Sequence, residues 1–125
     1  MPRTVNDLIA GRQPVVVKAG ASVRETAHLM LEHQVGAVLV MDQGKLLGVF
    51  TERDALRFFV ATRRNADLTN VDDVMTKNPI TVSPDTTIED ARNLMRDKGF
   101  RHLPVISADA VLGVVSLRGI ALDVV

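Results

Sequence analysis

Writing Pro14 to Leu56 above Pro79 to Ala121, a constant offset of 65 with no gap, lays one half of the chain on the other. Pro14 falls on Pro79, Val17 on Val82, Leu29-Met30 on Leu94-Met95, Val40 on Val105 and Arg53 on Arg118. Leu47-Gly48-Val49 recurs whole as Leu112-Gly113-Val114, and most remaining apolar positions are apolar in both copies. Scattered matches arise by chance; a shared hydrophobic template ending in the same tripeptide does not. Such a repeat outranks any local signal, because both copies must follow the same course. A copy of about 60 residues buries only about 60% of its unfolded surface and is marginal alone. The two copies are therefore expected to pack sheet to sheet as one α/β domain with pseudo-twofold symmetry. Repeat 1 is read as 1–62, a polar linker as 63–70 and repeat 2 as 71–125.

Each copy reads as strand–helix–strand–strand–helix behind a small opening helix. The openings are Thr4-Val-Asn-Asp7 and Asn70-Val-Asp-Asp73, each an N-cap residue with a carboxylate three on. β-branched segments follow, Val15–Val17 and Ile80–Val82. The next helix of copy one starts at Ser22-Val-Arg-Glu25, a capping-box pattern, and places Val23, Ala27, Met30 and Leu31 on its apolar side. Copy two sets Ile88, Ala91 and Met95 at i, i+3 and i+7. Strand pairs are expected at 38–41 with 46–50 and at 103–106 with 111–115, joined by turns. The last helices begin at Thr51 and Ser116.

Composition closes several routes. Fifteen Lys and Arg balance fifteen Asp and Glu, whereas nucleic-acid affinity comes mainly from a cationic surface. No DNA or RNA partner is expected. Apolar residues make up 46% of the chain, enough for a packed core. The longest apolar run, 35–41, is far short of the roughly 20 residues of a membrane span, so no membrane insertion is expected. The absence of cysteine removes disulfides, thiol nucleophiles and thiolate metal sites, and fits a cytoplasmic location. With four Phe and no Trp or Tyr, a flat ligand has to be gripped by means other than aromatic stacking.

The segment richest in chemistry is Gly48-Val-Phe-Thr-Glu-Arg-Asp54, a strand running into a helix start. Backbone N–H groups at a helix start suit a phosphate, the Thr51 hydroxyl adds a donor, and Asp54 can accept from a vicinal diol, as acids do for ribose in dinucleotide folds. The plain alternative is that Thr51-x-x-Asp54 only caps its helix. His28 and His33 are five apart on a predicted helix and diverge by about 140°, so no metal site is expected. Asp72 and Asp73 diverge as neighbours on a helix, Asp73 being assigned to the cap. Ser116 lacks the Gly-x-Ser-x-Gly elbow, and no catalytic residue is assigned. A small metal-dependent hydrolase is the weakest reading.

Met75-Thr-Lys-Asn-Pro79, Gly48 to Leu56, Arg101-His-Leu-Pro-Val105 and Leu112-Gly-Val-Val-Ser116 resemble tandem CBS-domain proteins, the Bateman module. The resemblance covers nearly the whole chain. It implies a regulatory module without chemistry of its own, binding an adenosine ligand between its repeats: AMP, ADP or ATP first, S-adenosylmethionine or NAD as alternatives. Carried over by position, Thr51 goes to phosphate, Asp54 to the ribose hydroxyls and Arg53 to phosphate. The adenine is expected near Lys77, Asn78, Pro79 and Ile80, with Phe100 and Arg101, where Ile80 and Phe100 give apolar walls.

Copy two departs from the pattern, with Gly119 where copy one has Asp54. One tight site per chain is therefore expected. Copy one has Gly36-Ala37 against Arg101-His102, leaving Arg53, Lys77 or Arg101 to meet the phosphate charge. The regulated effector would be a separate, unidentified protein or a second copy. A homodimer is expected because the last helices carry Ala55, Leu56, Phe58, Phe59, Val60 and Ala61, and Leu117, Ile120, Ala121, Leu122, Val124 and Val125, apolar beyond one stripe. The alternative function is a ligand-free dimerisation scaffold of the same fold.

Overall fold

The computed structural model describes residues 3–108 and 110–122, and the side chains of all these except 59–61 and 122. Along the chain run α1 (Val5–Ile9), β1 (Val16–Lys18), α2 (Val23–His33), β2 (Ala37–Asp42), β3 (Lys45–Thr51), α3 (Glu52–Leu56), β4 (Thr76–Lys77), α4 (Ile88–Lys98), β5 (His102–Ser107), β6 (Ala110–Ser116) and α5 (Leu117–Leu122). Two compact units result: a middle unit, Val15–Pro79, and a terminal unit joining Met1–Pro14 to Ile80–Val125.

The middle unit holds a four-stranded sheet in the order β1-β2-β3-β4. β1 runs parallel to β2, with Val17 opposite Val40, and β3 is antiparallel to both β2 and β4. A two-residue turn joins β2 to β3, with Gln43 at φ 49° and Gly44 at φ 79°. Two consecutive positive φ values match the right-handed twist of the flanking strands. α2 starts where the Ser22 hydroxyl accepts from the Glu25 N–H at 3.0 Å. It buries Val23, Thr26 and Met30, the Thr26 hydroxyl donating to the Ser22 carbonyl at 2.9 Å. Leu31, expected on the apolar side, is 80% exposed. The buried stripe runs through positions 23, 26 and 30, and Leu31 stands one step outside it. The core is Val17, Val23, Met30, Val38, Val40, Phe50, Phe58, Ala66 and Val71.

The stretch after Thr62 is laid on this core. Ala66 and Val71 are buried in it, the Val71 N–H donates to the Ala21 carbonyl, and the Val23 N–H to that of Thr69. A single 3-10 turn, Val71–Asp73, follows. Its anchoring acid is Asp72, whose Oδ1 accepts from the Gly20 N–H at 2.8 Å. Asp73, read as the cap partner of Asn70, is exposed, and Asn70 makes no side-chain cap bond. A turn of three residues ends before a third-residue carboxylate has a first turn to fold back on.

In the terminal unit β5 and β6 form a two-stranded antiparallel sheet. The segment read as a strand at 80–82 contributes one parallel bridge, Val82 to Val105. In copy one the ladder beyond β1 is extended by the Ala19 N–H on the Met41 carbonyl. The equivalent residue in copy two is Pro84, which has no N–H to give. α1 comes to this unit from the other end of the chain. The Val5 N–H donates to the Thr86 carbonyl at 2.8 Å, and Val5 and Ile9 join Ala91, Met95, Leu103, Val105, Val115 and Ile120 in the core. The Thr4–Asp7 cap is present, the Thr4 N–H donating to Asp7 Oδ2 at 3.0 Å.

The last helices hold part of their apolar load inside their own units. Beyond α3 the chain takes wider π-helical turns over Arg57–Thr62, where the Thr62 hydroxyl donates to the Phe58 carbonyl at 2.7 Å. Phe58 and Ile120 are buried, whereas Leu56 is 65% exposed. The side chains of Phe59, Val60, Ala61 and Leu122, and residues Val124 and Val125, lie outside the described set.

The glycine of each Leu-Gly-Val tripeptide marks where a segment crosses a strand. A Cβ on Gly48 would stand 2.5 Å from the Met75 sulfur and 2.6 Å from the Thr76 carbonyl oxygen, whereas one on Gly113 would have Ile9 side-chain atoms as its nearest neighbours, at 3.1–3.2 Å. Gly48→Ala is expected to cost about 1–3 kcal/mol, and Gly113→Ala less, because a side chain yields where a paired strand does not. Urea unfolding of the two variants, followed by circular dichroism, checks the order.

Candidate functional site

β3 delivers Thr51 to the point where strand turns to helix. Thr51 pairs with Ala37 on β2, and the next N–H, that of Glu52, donates to the Gly36 carbonyl at 3.0 Å. Thr51 then caps α3 with extended backbone, φ −119° and ψ 167°. Its hydroxyl accepts from the Asp54 N–H at 3.2 Å, while its own N–H and hydroxyl proton both go to Asp54 Oδ2 at 3.0 Å. The capping alternative is thus realised, and any ligand role rests on what the cap leaves over. Asp54 is half-buried, and its Oδ1 has no partner among the described residues. The cap holds that free oxygen in a fixed direction, ready to accept from a hydroxyl. Thr51, by contrast, has no proton left for a phosphate unless it releases Asp54. Arg53 between them is exposed and makes no ion pair among the described residues.

β4, which local signals did not announce, ties a second group to the same sheet. Lys77 lies opposite Gly48 and Thr76 opposite Val49, and the Asn78 N–H donates to the Leu47 carbonyl at 3.2 Å. Asn78 adopts a left-handed backbone, φ 49°, which Asn tolerates better than most residues. Lys77 and Asn78 are exposed and Pro79 is half-buried. The middle unit therefore carries Thr51, Arg53, Asp54, Lys77, Asn78 and Pro79 together. Only Thr76 hints at the strand, since two residues are too few for a period to register.

Ile80, Phe100 and Arg101 belong to the terminal unit. Ile80 is 36% exposed, Phe100 packs partly on the core, and the Arg101 carbonyl accepts from the Leu117 N–H at 2.8 Å. That last bond repeats the one between Gly36 and Glu52. At Ser116 the repeat breaks: its hydroxyl accepts from the Gly119 N–H at 2.8 Å, and among the described residues no carboxylate takes its proton. His28 and His33 are exposed on α2, and no group of three or more His, Asp or Glu is placed to hold a metal ion among the described residues.

With the duplicated fold and its two unequal helix starts established, comparison with known proteins is direct. The CBS domain family matches twice, over residues 5–61 and 71–124. The chain belongs to the CBS-domain family. This CBS pair is 39% identical over 115 residues to an uncharacterized 17.7 kDa protein of Acidianus ambivalens, covering 90% of the chain and 68% of that protein. A CBS-domain protein of Agrobacterium tumefaciens superposes with a TM-score of 0.88 at 31% identity, over 95% and 97% of the two chains. A CBS domain protein of Pyrobaculum aerophilum, solved in complex with AMP, superposes with a TM-score of 0.83 at 29% identity, over 93% and 88%.

The cap of this CBS pair has a measurable worth apart from any ligand. Thr51→Ala leaves the Asp54 N–H without its acceptor and is expected to lower stability by about 1 kcal/mol. Thr51→Ser restores it. Chemical denaturation of the three proteins reads the difference.

Proposed function

We propose that the CBS pair is a regulatory module that binds an adenosine nucleotide through its middle unit and performs no chemistry itself. The observation that carries this reading is the Asp54 carboxylate, with Oδ2 fixed by Thr51 and Oδ1 without a partner among the described residues. A carboxylate so held accepts from a ribose diol through charge-assisted hydrogen bonds. Arg53 and Lys77, exposed cations on the same unit, offer charge for phosphate, and Asn78 and Pro79 offer main-chain groups to a base. AMP in the Pyrobaculum aerophilum relative supports the choice of AMP, ADP or ATP over S-adenosylmethionine or NAD. The module then acts on a separate effector protein, and a cytoplasmic location belongs to the same reading.

Calorimetric titration with AMP tests it. Asp54→Asn keeps an oxygen for the Thr51 donors and removes the charge, and is expected to weaken binding by about tenfold to several hundredfold. AMP lacking both ribose hydroxyls should lose the same factor on the unmodified protein and little on the variant. Ile80, Phe100 and Arg101 are tested by the same titration, one substitution at a time. One site per chain is expected, because Gly119 gives a ribose no charged acceptor. A folded protein that binds none of the five ligands favours the ligand-free scaffold.

The module is further proposed to be a homodimer, since Leu56 is exposed beside the apolar run that follows it. Light scattering at micromolar concentration should give twice the chain mass of 13.6 kDa. Leu56→Glu should lower it; a single-chain mass for the unmodified protein rejects the dimer.

A further inference from the structure

The cap makes the phosphate end of the ligand a matter for cations, because the Thr51 hydroxyl proton goes to Asp54. One guanidinium stands where the sequence motifs did not point. Arg57 follows Arg53 by one helical turn, its N–H on the Arg53 carbonyl, so the two side chains leave the same side of the helix. Arg57 also stands three residues beyond Asp54, a spacing at which Arg and Asp readily pair. No such pair forms: both arginines are exposed, and neither makes an ion pair among the described residues. After Asp54 no acid appears before Asp67, and Asp67 is held by Arg24. Of the other arginines in that interval, Arg64 lies over the Phe58 ring, 5.3 Å from its centroid, and Arg63 ends the π-helical turns with φ 55°. Arg57 is thus a cation in an unbalanced stretch, beside a free carboxylate oxygen that it leaves alone.

Resting on the nucleotide reading above, we infer that Arg57 is a specificity residue for phosphate-chain length and that the ligand is an adenosine di- or triphosphate. With the ribose on Asp54, Arg53 meets the first phosphate. Arg57, about 6 Å further along the helix axis, meets the next. The planar guanidinium fork suits phosphate oxygens, and each phosphate beyond the first adds charge that Arg53 alone does not neutralise. AMP uses only part of this arrangement. Because both arginines are exposed, the gain from the longer chain is screened by salt.

The test is a calorimetric titration of AMP, ADP and ATP in magnesium-free buffer at low and at physiological salt. ATP is expected to bind the unmodified protein about tenfold or more tightly than AMP, with a margin that narrows as salt rises. Arg57→Gln should erase that margin and leave AMP within about twofold, and Arg57→Lys should keep part of it. Arg92→Gln, an exposed charge removal on α4 of the terminal unit, should change nothing. Equal affinity of the unmodified protein for AMP and ATP overturns the inference, as does an Arg57→Gln variant that weakens all three ligands in proportion. If the unmodified protein binds none of them, the nucleotide reading itself falls.

Discussion

Met75 and Thr76 pass so close over Gly48 that a Cβ there would overlap them, and the pairing of β4 with β3 depends on that space. A strand can take a neighbour at this distance only where it carries no Cβ, and the repeat supplies a glycine there in each copy. The crossing at Gly48 lets Thr76 and Lys77 pair with β3, the same strand that ends at Thr51. Packing thereby fixes chemistry: a cationic side chain and a left-handed Asn are held against the strand that positions the Asp54 carboxylate. In the terminal unit the crossing chain is α1, with Ile9 over Gly113 and no strand pairing. The same tripeptide serves two different neighbours.

Local signals were legible and distant ones were not. The hairpins follow from alternation and a Gly-containing turn, and the caps at Thr4, Ser22 and Thr51 follow from a carboxylate three residues on. The pattern misled at Asn70, where the turn is too short for its acid to return. Asp72 instead bonds Gly20, 52 residues away, which no window of sequence reveals. The missing strand at Val82 was written in Pro84, once the Ala19 N–H it replaces is known to extend the ladder. Leu31 shows the limit of periodicity, since positions 30 and 31 both satisfy a helical spacing and only packing chooses between them. At the candidate site, residue types were readable, but the sharing of protons between Thr51 and Asp54 was not.

The two helix starts show how duplication lets one copy change. Thr51 with Asp54 and Ser116 with Gly119 begin helices by the same hydroxyl-to-backbone bond, 3.2 Å in one and 2.8 Å in the other. What differs is the acid, which the cap does not require. Losing it costs a helix start little, since the hydroxyl still accepts the third N–H. The fold thus tolerates a copy without the group on which the ligand reading depends.

The connectivity of the units sets an order of assembly. Every segment of the middle unit lies between Val15 and Pro79, so it has all its parts once Pro79 has left the ribosome. The terminal unit does not: α1 precedes the middle unit in the chain, and the helix and strands it packs against come after Ile80. Val5 and Ile9 have no core to enter during that interval. Closing the gap between them and their partners constrains a stretch of about 70 residues, a cost that grows only with the logarithm of length. A middle unit that folds first replaces most of that flexible stretch by a folded body, so less of the closure cost remains when the second half is made.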